Sequence, residues 1–137
     1  MGVRREGREA ATQFLYQRDL GGAAQVGDLT DFYAFRGLSP SARRFCQALV
    51  TGVLANFPKI DETLQASAQN YELKRLSAVD RNVLRLALYE MFFCPEVPPV
   101  VVINEAIDIA KKYGTEDSGR FVNGVLDQVK KKVASSE

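Results

Sequence analysis

Apolar residues recur every three or four positions along most of the chain, which is the spacing of one face of an α-helix. No segment alternates apolar and polar residues convincingly, so no half-buried strand is predicted. The pattern predicts helices over seven segments, of which the second is short and the fourth weak: residues 4–20, 28–36, 40–57, 60–68, 77–93, 99–113 and 118–132. We therefore expect an all-α fold, a single-domain bundle of six or seven helices over residues 1–137.

Residues at several predicted helix ends agree with these boundaries. The pair Gly21-Gly22 is expected to end the first helix, since paired glycines favour a stop. Ser39 before Pro40 is typical of an N-cap followed by the first helical residue. Gly114 is expected to end the sixth helix in the left-handed conformation that favours glycine.

The fifth and sixth predicted helices define the centre of the bundle. The fifth is the most apolar, and Ser77 with Asp80 three residues later approximates a capping box at its start. A helix that is apolar on most sides usually lies centrally. Residues 100–103 are β-branched and taken alone would suit a strand. The helical period continues through residues 106–113, however, so a sixth helix is predicted instead.

The composition is that of an ordinary globular protein, with 46% apolar and 26% charged residues in a chain of 137. There are 18 basic and 17 acidic side chains, so a polyanion would have to bind a local patch. The chain contains no histidine, which excludes Ser-His-Asp and Cys-His nucleophiles, histidine-ligated metals and an imidazole switch. We expect no cofactor and no metal.

The cysteines and the amino-terminal sequence bear on the compartment. Cys46 and Cys94 form no CxxC motif and lie beside apolar residues. We interpret them as structural thiols in a reducing cytosol, with an intramolecular disulfide as the alternative. The amino terminus has no apolar signal core, and no apolar run approaches the ~20 residues of a membrane span. The sequence therefore predicts a cytoplasmic protein without a membrane partner.

The sequence offers no catalytic constellation. Residues 119–124 have Walker-like glycine spacing, but Val125 and Leu126 replace the lysine and hydroxyl residue that bind phosphate and metal. Acidic residues lie close together at three places: Asp61 with Glu62, Glu105 with Asp108, and Glu116 with Asp117. We interpret these as helix caps and solvated helix faces, since an acid–base pair must converge from separate elements. The sequence therefore favours a protein that is not an enzyme.

Arginines at the start of the first helix are a candidate phosphate-binding site. Arg4, Arg5 and Arg8 lie where positive charge opposes the helix dipole, which suggests that they face phosphate groups. A solvated, frayed helix end is the alternative. Tyr16 follows Arg8 by about two turns and can share its face. Single-stranded RNA suits such a surface, because bases stack on the aromatic ring while phosphates meet the guanidinium groups.

A second cation–aromatic pair lies near the carboxyl end. Asp117 or Ser118 is expected to cap the last helix, and Arg120 and Phe121 fall at its exposed start. The alternative for Phe121 is a core position, because it has helical spacing with Val125.

Four stretches of the chain have a recognisable sequence: REAATQFLY at residues 8–16, VLRLALYE at 83–90, PPVVVINEA at 98–106 and YGTEDSGRFVNGVLD at 113–127. Together they resemble the NusB family of bacterial transcription antitermination factors. The INEA and GTEDS-x-x-FVNG blocks are the specific ones. The resemblance covers nearly the whole chain and is weakest over residues 21–38.

The resemblance implies an all-helical protein that binds boxA RNA together with NusE, a small-subunit ribosomal protein, in an antitermination complex on RNA polymerase. It implies RNA contacts from the arginine-rich start of the first helix, an aromatic residue further along it and the turn before the last helix. The matching residues here are Arg4, Arg5, Arg8, Tyr16, Asp117, Ser118, Arg120 and Phe121. It also implies that Asp80 contacts NusE.

Two departures leave other interpretations open. Glu6 interrupts the arginine run, so RNA binding is expected to depend more strongly on NusE.

Two alternatives to the antitermination factor remain open. NusB-like domains also occur at the front of bacterial ribosomal RNA cytosine methyltransferases, where such a domain would supply only RNA binding. Residues 91–94 are unusually apolar for the family, which suits a protein-only scaffold such as a homodimer.

Overall fold

The computed structural model describes residues 2–21, 26–68 and 76–136. These ranges contain no strand; they hold seven α-helices and one 3-10 helix at Val26–Asp31. The α-helices are α1 (Val3–Gly21), α2 (Tyr33–Arg36), α3 (Pro40–Ala55), α4 (Phe57–Ser67), α5 (Ala78–Phe93), α6 (Pro99–Tyr113) and α7 (Ser118–Ser136). The prediction of an all-α fold is therefore confirmed. None of the helices in the described ranges is both long and apolar enough to cross a membrane.

Local side-chain chemistry accounts for the helix starts. The Ser39 hydroxyl accepts a hydrogen bond from the Ala42 N–H at 3.2 Å, and Pro40 occupies the first turn of α3. At α5 the Ser77 hydroxyl accepts from the Asp80 N–H at 3.1 Å, which confirms one half of the predicted capping box.

The single helix predicted over residues 28–36 is wrong. The chain forms a 3-10 helix, leaves helical geometry at Phe32 with φ −71° and ψ 125°, and then begins α2. The Phe32 ring is buried and packs edge-on against Phe14, with ring centroids 5.5 Å apart. The extended residue thus lets an aromatic ring enter the core where a continuous helix was expected.

Gly114 ends α6, but the predicted left-handed conformation is wrong, because its φ is −97° and its ψ −154°. Glycine is needed for space instead. A Cβ at this position would lie 2.3 Å from the Ser118 hydroxyl and 2.7 Å from the Ala110 carbonyl oxygen. The close approach joins the end of α6 to the start of α7.

Helix α5 lies at the centre of the bundle and contacts α1, α3, α4, α6 and α7. Leu84 and Leu88 of α5 are fully buried, as are Val50 and Val53 of α3. Helices α1 and α3 also pack closely, since a Cβ at Gly7 would lie 2.7 Å from the Phe45 ring. The predicted central position of α5 is confirmed, and α1 and α6 both pack against it.

The two cysteines are free thiols, so the alternative of an intramolecular disulfide is wrong. Cys46 is fully buried in α3, and this burial raises the pKa of its thiol to about 12. Cys94 is half-buried just after α5. Cys46 thus behaves as a small apolar core residue, as predicted.

Candidate nucleic-acid interface

The three arginines at the start of α1 have different environments. Arg4 is exposed, and its guanidinium carbon lies 5.9 Å from the centre of the Phe45 ring. Arg5 is partly exposed, whereas Arg8 is buried. The sequence grouped them as one cluster, but in the structure only Arg4 presents its guanidinium freely on the protein surface.

Arg8 forms a buried, bidentate ion pair with Glu90 of α5. Its Nε and Nη2 atoms donate to the two Glu90 carboxylate oxygens, each at 2.8 Å, and Nη1 donates to Glu105 of α6 at 3.1 Å. Burial alone would lower the pKa of Arg8, but the hydrogen bonds and charges of the two glutamates outweigh it and raise that pKa. A solvated helix end is therefore the wrong interpretation for Arg8.

Arg5 completes the same network at its outer side. Its Nε donates to Glu105 at 3.0 Å and its Nη2 to Asp108 at 2.9 Å, and Nη2 also pairs closely with Glu105. The hydrogen bond from Arg5, together with the positive charges of Arg5 and Arg8, lowers the pKa of the Glu105 carboxyl despite its partial burial. The interpretation of Glu105 as part of a solvated face was wrong, since this carboxylate joins α6 to α1.

A second charge network holds the far end of α1 against α5. Asp19 accepts from Arg81 and Asn82 at 2.9 Å each and from Arg85 at 2.6 Å. Arg85 in turn donates twice to Asp61 of α4 at 2.8 Å. Asp61 is thus an ion-pair partner, which corrects its interpretation as a cap or solvated residue.

Asp80, the candidate contact for a protein partner, adjoins this second network at the start of α5. It is half-buried, and its Oδ1 atom is buried without a hydrogen-bond partner among the described residues. A buried carboxylate oxygen in this condition is costly.

Tyr16 lines a groove of about 280 Å³ between four helices. Its other wall residues include Gln13 and Gln17 of α1, Tyr33 of α2, Val79 of α5 and Tyr113 of α6. The Tyr113 hydroxyl donates to Glu9 at 2.6 Å, and burial, then this carboxylate, raises the pKa of Tyr113. The groove brings Tyr16 next to Val79, the neighbour of Asp80, and to the end of α6.

The turn between α6 and α7 presents charged residues to solvent. The Arg120 side chain is 87% exposed and lies 3.7 Å from the similarly exposed Asp117. Ser118 is buried, and its hydroxyl accepts from the Thr115 N–H at 2.9 Å. It therefore shapes the turn rather than facing solvent.

Phe121 is partly a core residue and partly a surface residue, the two environments that the sequence analysis considered for it. It is half-buried and packs against the core, and it also lines a groove of about 300 Å³ between α4 and α7. Arg120 and Gln128 line the same groove. An aromatic ring thus lies beside an exposed guanidinium at the start of α7.

Sequence reasoning missed several residues that shape these sites. Glu90 is the clearest, and the available signal was a lone glutamate in the most apolar helix. Tyr33 and Tyr113 were also missed; Tyr113 is the last residue of a predicted helix, whereas Tyr33 lies inside one. The described residues contain no group of three or more cysteine, aspartate or glutamate side chains placed to hold a metal ion.

Fold and site together define an all-helical protein with exposed cation–aromatic surfaces of the kind that bind RNA. The sequence profile of the NusB family matches residues 5–131. The transcription antitermination protein NusB of Desulfosudis oleivorans is 46% identical over 141 aligned positions, which cover 100% of this chain and 91% of that protein. The chain belongs to the NusB family.

Solved structures agree with this assignment. A structure of NusB from T. maritima superposes with a TM-score of 0.87 at 38% identity, covering 94% of this chain and 91% of that one. A crystal structure of the antitermination factors NusB and NusE in complex with double-stranded RNA gives a TM-score of 0.86 at 29% identity, covering 96% and 98%. The bundle is therefore the NusB fold, as the sequence resemblance implied.

Proposed function

We propose that this chain is a non-catalytic adaptor in transcription antitermination. In this proposal it binds boxA RNA together with its NusE partner, and the pair joins the antitermination complex on RNA polymerase in the bacterial cytoplasm. The observation that carries the proposal is the exposed arginine and aromatic surface of a NusB-family fold. The relative from Desulfosudis oleivorans, named as an antitermination protein, matches over 91% of its length, which favours the adaptor over the RNA-binding part of a methyltransferase.

The proposed RNA contacts divide by accessibility. Arg4 and Arg120 present exposed guanidinium groups suited to phosphates, and Tyr16 and Phe121 offer partly exposed rings for stacking. Asp117 is an exposed acceptor suited to base or ribose donors.

The remaining proposed RNA residues act chiefly by positioning. Arg5 shares its guanidinium with Glu105 and Asp108 and keeps partial exposure toward a phosphate. Arg8 and Ser118 are buried, so their role is to fix α1 and the turn before α7 in place.

Asp80 is the proposed NusE contact. Its partial exposure at the start of α5 supports this assignment, because a carboxylate that is not fully buried can accept a hydrogen bond from a donor on the partner. The groove containing Tyr16 adjoins it through Val79, so the proposal predicts neighbouring RNA and NusE sites.

The test is fluorescence anisotropy of a labelled boxA RNA, titrated with this protein alone and with NusE from the same species over a range of salt concentrations. We expect tighter, sequence-selective binding with NusE. Replacing both Arg4 and Arg120 with alanine should lower the slope of log affinity against log salt by about 1.4, since each phosphate contact on a single strand contributes about 0.7. Arg44→Ala, an exposed arginine on α3, is the matched control.

An unchanged salt slope in the double variant would refute the assignment of Arg4 and Arg120. Absence of RNA binding with and without NusE, by folded protein at low salt, would refute the proposed function itself.

A protein-only scaffold is the second candidate, and one observation favours it. Phe92 and Phe93 at the end of α5 and Val100 and Val101 at the start of α6 are all exposed. Exposed apolar residues are typical of a protein interface where they form a contiguous patch. Light scattering that shows a homodimer unable to bind RNA would support the scaffold over the adaptor.

A further inference from the structure

Three tyrosines from three different helices converge on one groove. Tyr16 of α1, Tyr33 of α2 and Tyr113 of α6 all line the groove of about 280 Å³. Tyr33 is 69% exposed, so burial in the core does not account for an aromatic residue there. Exposed rings around a concave surface are suited to a planar ligand that stacks.

Two of the three rings are held in place before any ligand binds. The Tyr113 hydroxyl donates to the nearly buried Glu9 carboxylate at 2.6 Å, and Lys112 donates to the same oxygen at 2.8 Å. The Tyr33 ring lies 5.1 Å from that of Phe32, which is anchored in the core. A site whose walls are already ordered loses less entropy on binding.

The same groove carries groups that distinguish one planar ligand from another. Gln13 and Gln17 are one helical turn apart on α1 and both line the groove. Each amide has both a donor and an acceptor, which is the combination found on the edge of a nucleobase. A purely apolar aromatic ligand would form no hydrogen bonds with these two amides.

We propose that this groove binds one unstacked nucleobase of the RNA, with Tyr33 and Tyr113 as walls beside Tyr16 and with Gln13 and Gln17 reading the base edge. The inference rests on the proposed RNA-binding function and deepens it. The Lys112 ammonium lies 5.3 Å from the centre of the Tyr113 ring and, through its ion pair with Glu9, helps to fix that wall of the groove. An RNA base is favoured over an aromatic side chain of a partner protein because Gln13 and Gln17 offer both donors and acceptors to the edge of the ligand, which a phenylalanine side chain could not use.

The experiment combines abasic substitutions in boxA RNA with substitutions of Tyr33, measured by anisotropy in the presence of NusE. With the unmodified protein, one abasic position should weaken binding by about 5- to 150-fold, the range for loss of one base–aromatic stack. Tyr33→Ala should weaken binding of the intact RNA within the same range. Tyr33→Phe is the matched control and should bind as the unmodified protein does, since it keeps the ring.

The decisive measurement is the affinity of Tyr33→Ala for RNA that carries an abasic site. At the position whose base occupies the groove, Tyr33→Ala and the abasic site should cost no more together than either does alone. Additive losses at every position, or unchanged RNA affinity of Tyr33→Ala, would overturn the inference even if the protein binds RNA. Loss of NusE affinity in Tyr33→Ala with an unchanged abasic profile would overturn it in favour of a protein side chain. Failure of the unmodified protein to bind RNA at all would overturn the proposed function as well.

Discussion

We predict that replacing Arg8 with alanine lowers the free energy of unfolding by about 3–5 kcal/mol, the range for removing one partner of a buried ion pair. Glu90 is 2% exposed, and two of its hydrogen bonds come from the Arg8 guanidinium. The substitution therefore leaves a carboxylate buried without its counter-charge. Arg4→Ala is the control on the same helix end and should cost less than about 0.5 kcal/mol, since Arg4 is exposed.

The predicted loss converts to a large change in melting temperature. An unfolding entropy of about 2.1 cal/mol/K per residue gives about 0.29 kcal/mol/K for 137 residues. A loss of 3–5 kcal/mol then corresponds to a melting temperature lower by about 10–17 °C. Circular dichroism at pH 7 measures this directly, with urea unfolding as an independent check of the free energy.

A double variant separates stability from RNA contact. Replacing Arg8 with methionine and Glu90 with leucine removes both charges at similar volume, and such exchanges of buried pairs are often neutral or stabilising. We expect its melting temperature to lie well above that of Arg8→Ala. Because Arg8 is buried, its RNA affinity should stay within about twofold of the unmodified protein with an unchanged salt slope.

Two results would refute this reasoning. A melting temperature of Arg8→Ala within about 2 °C of the unmodified protein would show that the buried pair contributes little. A salt slope lower by about 0.7 in the folded double variant would show that Arg8 contacts a phosphate directly.

The dependence of stability on pH and the substitution of two glycines give two further predictions. The pKa values of Glu105 and Asp19 are lowered by their ion pairs, so the stability that these carboxylates contribute is complete above their ordinary values of 4.5 and 3.8 and is lost as pH falls below them. As the pH is lowered from 4.5, the melting temperature of the unmodified protein should decrease, and that of Glu105→Gln should decrease less steeply. The same dependence of melting temperature on pH in both proteins would contradict this. Gly114→Ala should cost about 1–3 kcal/mol because its Cβ meets Ser118. Gly124→Ala, with nothing within 4 Å, should be neutral or stabilising, and equal melting temperatures would contradict the close approach at Gly114.

The helices could be predicted because their signals are local. Residues 99–113 show this best: the β-branched run suits a strand, yet the structure has a helix, as the spacing of the following apolar residues predicted. The interruption at Phe32 could not be predicted in this way. It depends on the burial of one ring against Phe14 of α1, a residue 18 positions earlier in the chain.

The candidate site was predictable in its residue types but not in its pairings. The sequence identified Arg5 and Arg8 as candidate site residues because positive charge at the start of a helix opposes its dipole. Their partners are separated from them by 82 to 103 residues in sequence, and no local pattern indicates which carboxylate each one meets. Glu105 was placed on a solvated face because helical spacing identifies a face without identifying what packs against it.

The ion pairs and the proposed RNA surface lie on the same helix, which affects how substitutions in α1 are interpreted. Arg8 joins α1 to α5 and α6, and Tyr16 lies on α1 about 12 Å further along its axis. Loss of the Arg8 ion pairs would loosen α1, the helix that forms one side of the groove lined by Tyr16, Tyr33 and Tyr113. Weaker RNA binding by Arg8→Ala is therefore expected even if its guanidinium never meets a phosphate. Only a variant that removes the charge and keeps the packing distinguishes an RNA contact from a support for Tyr16.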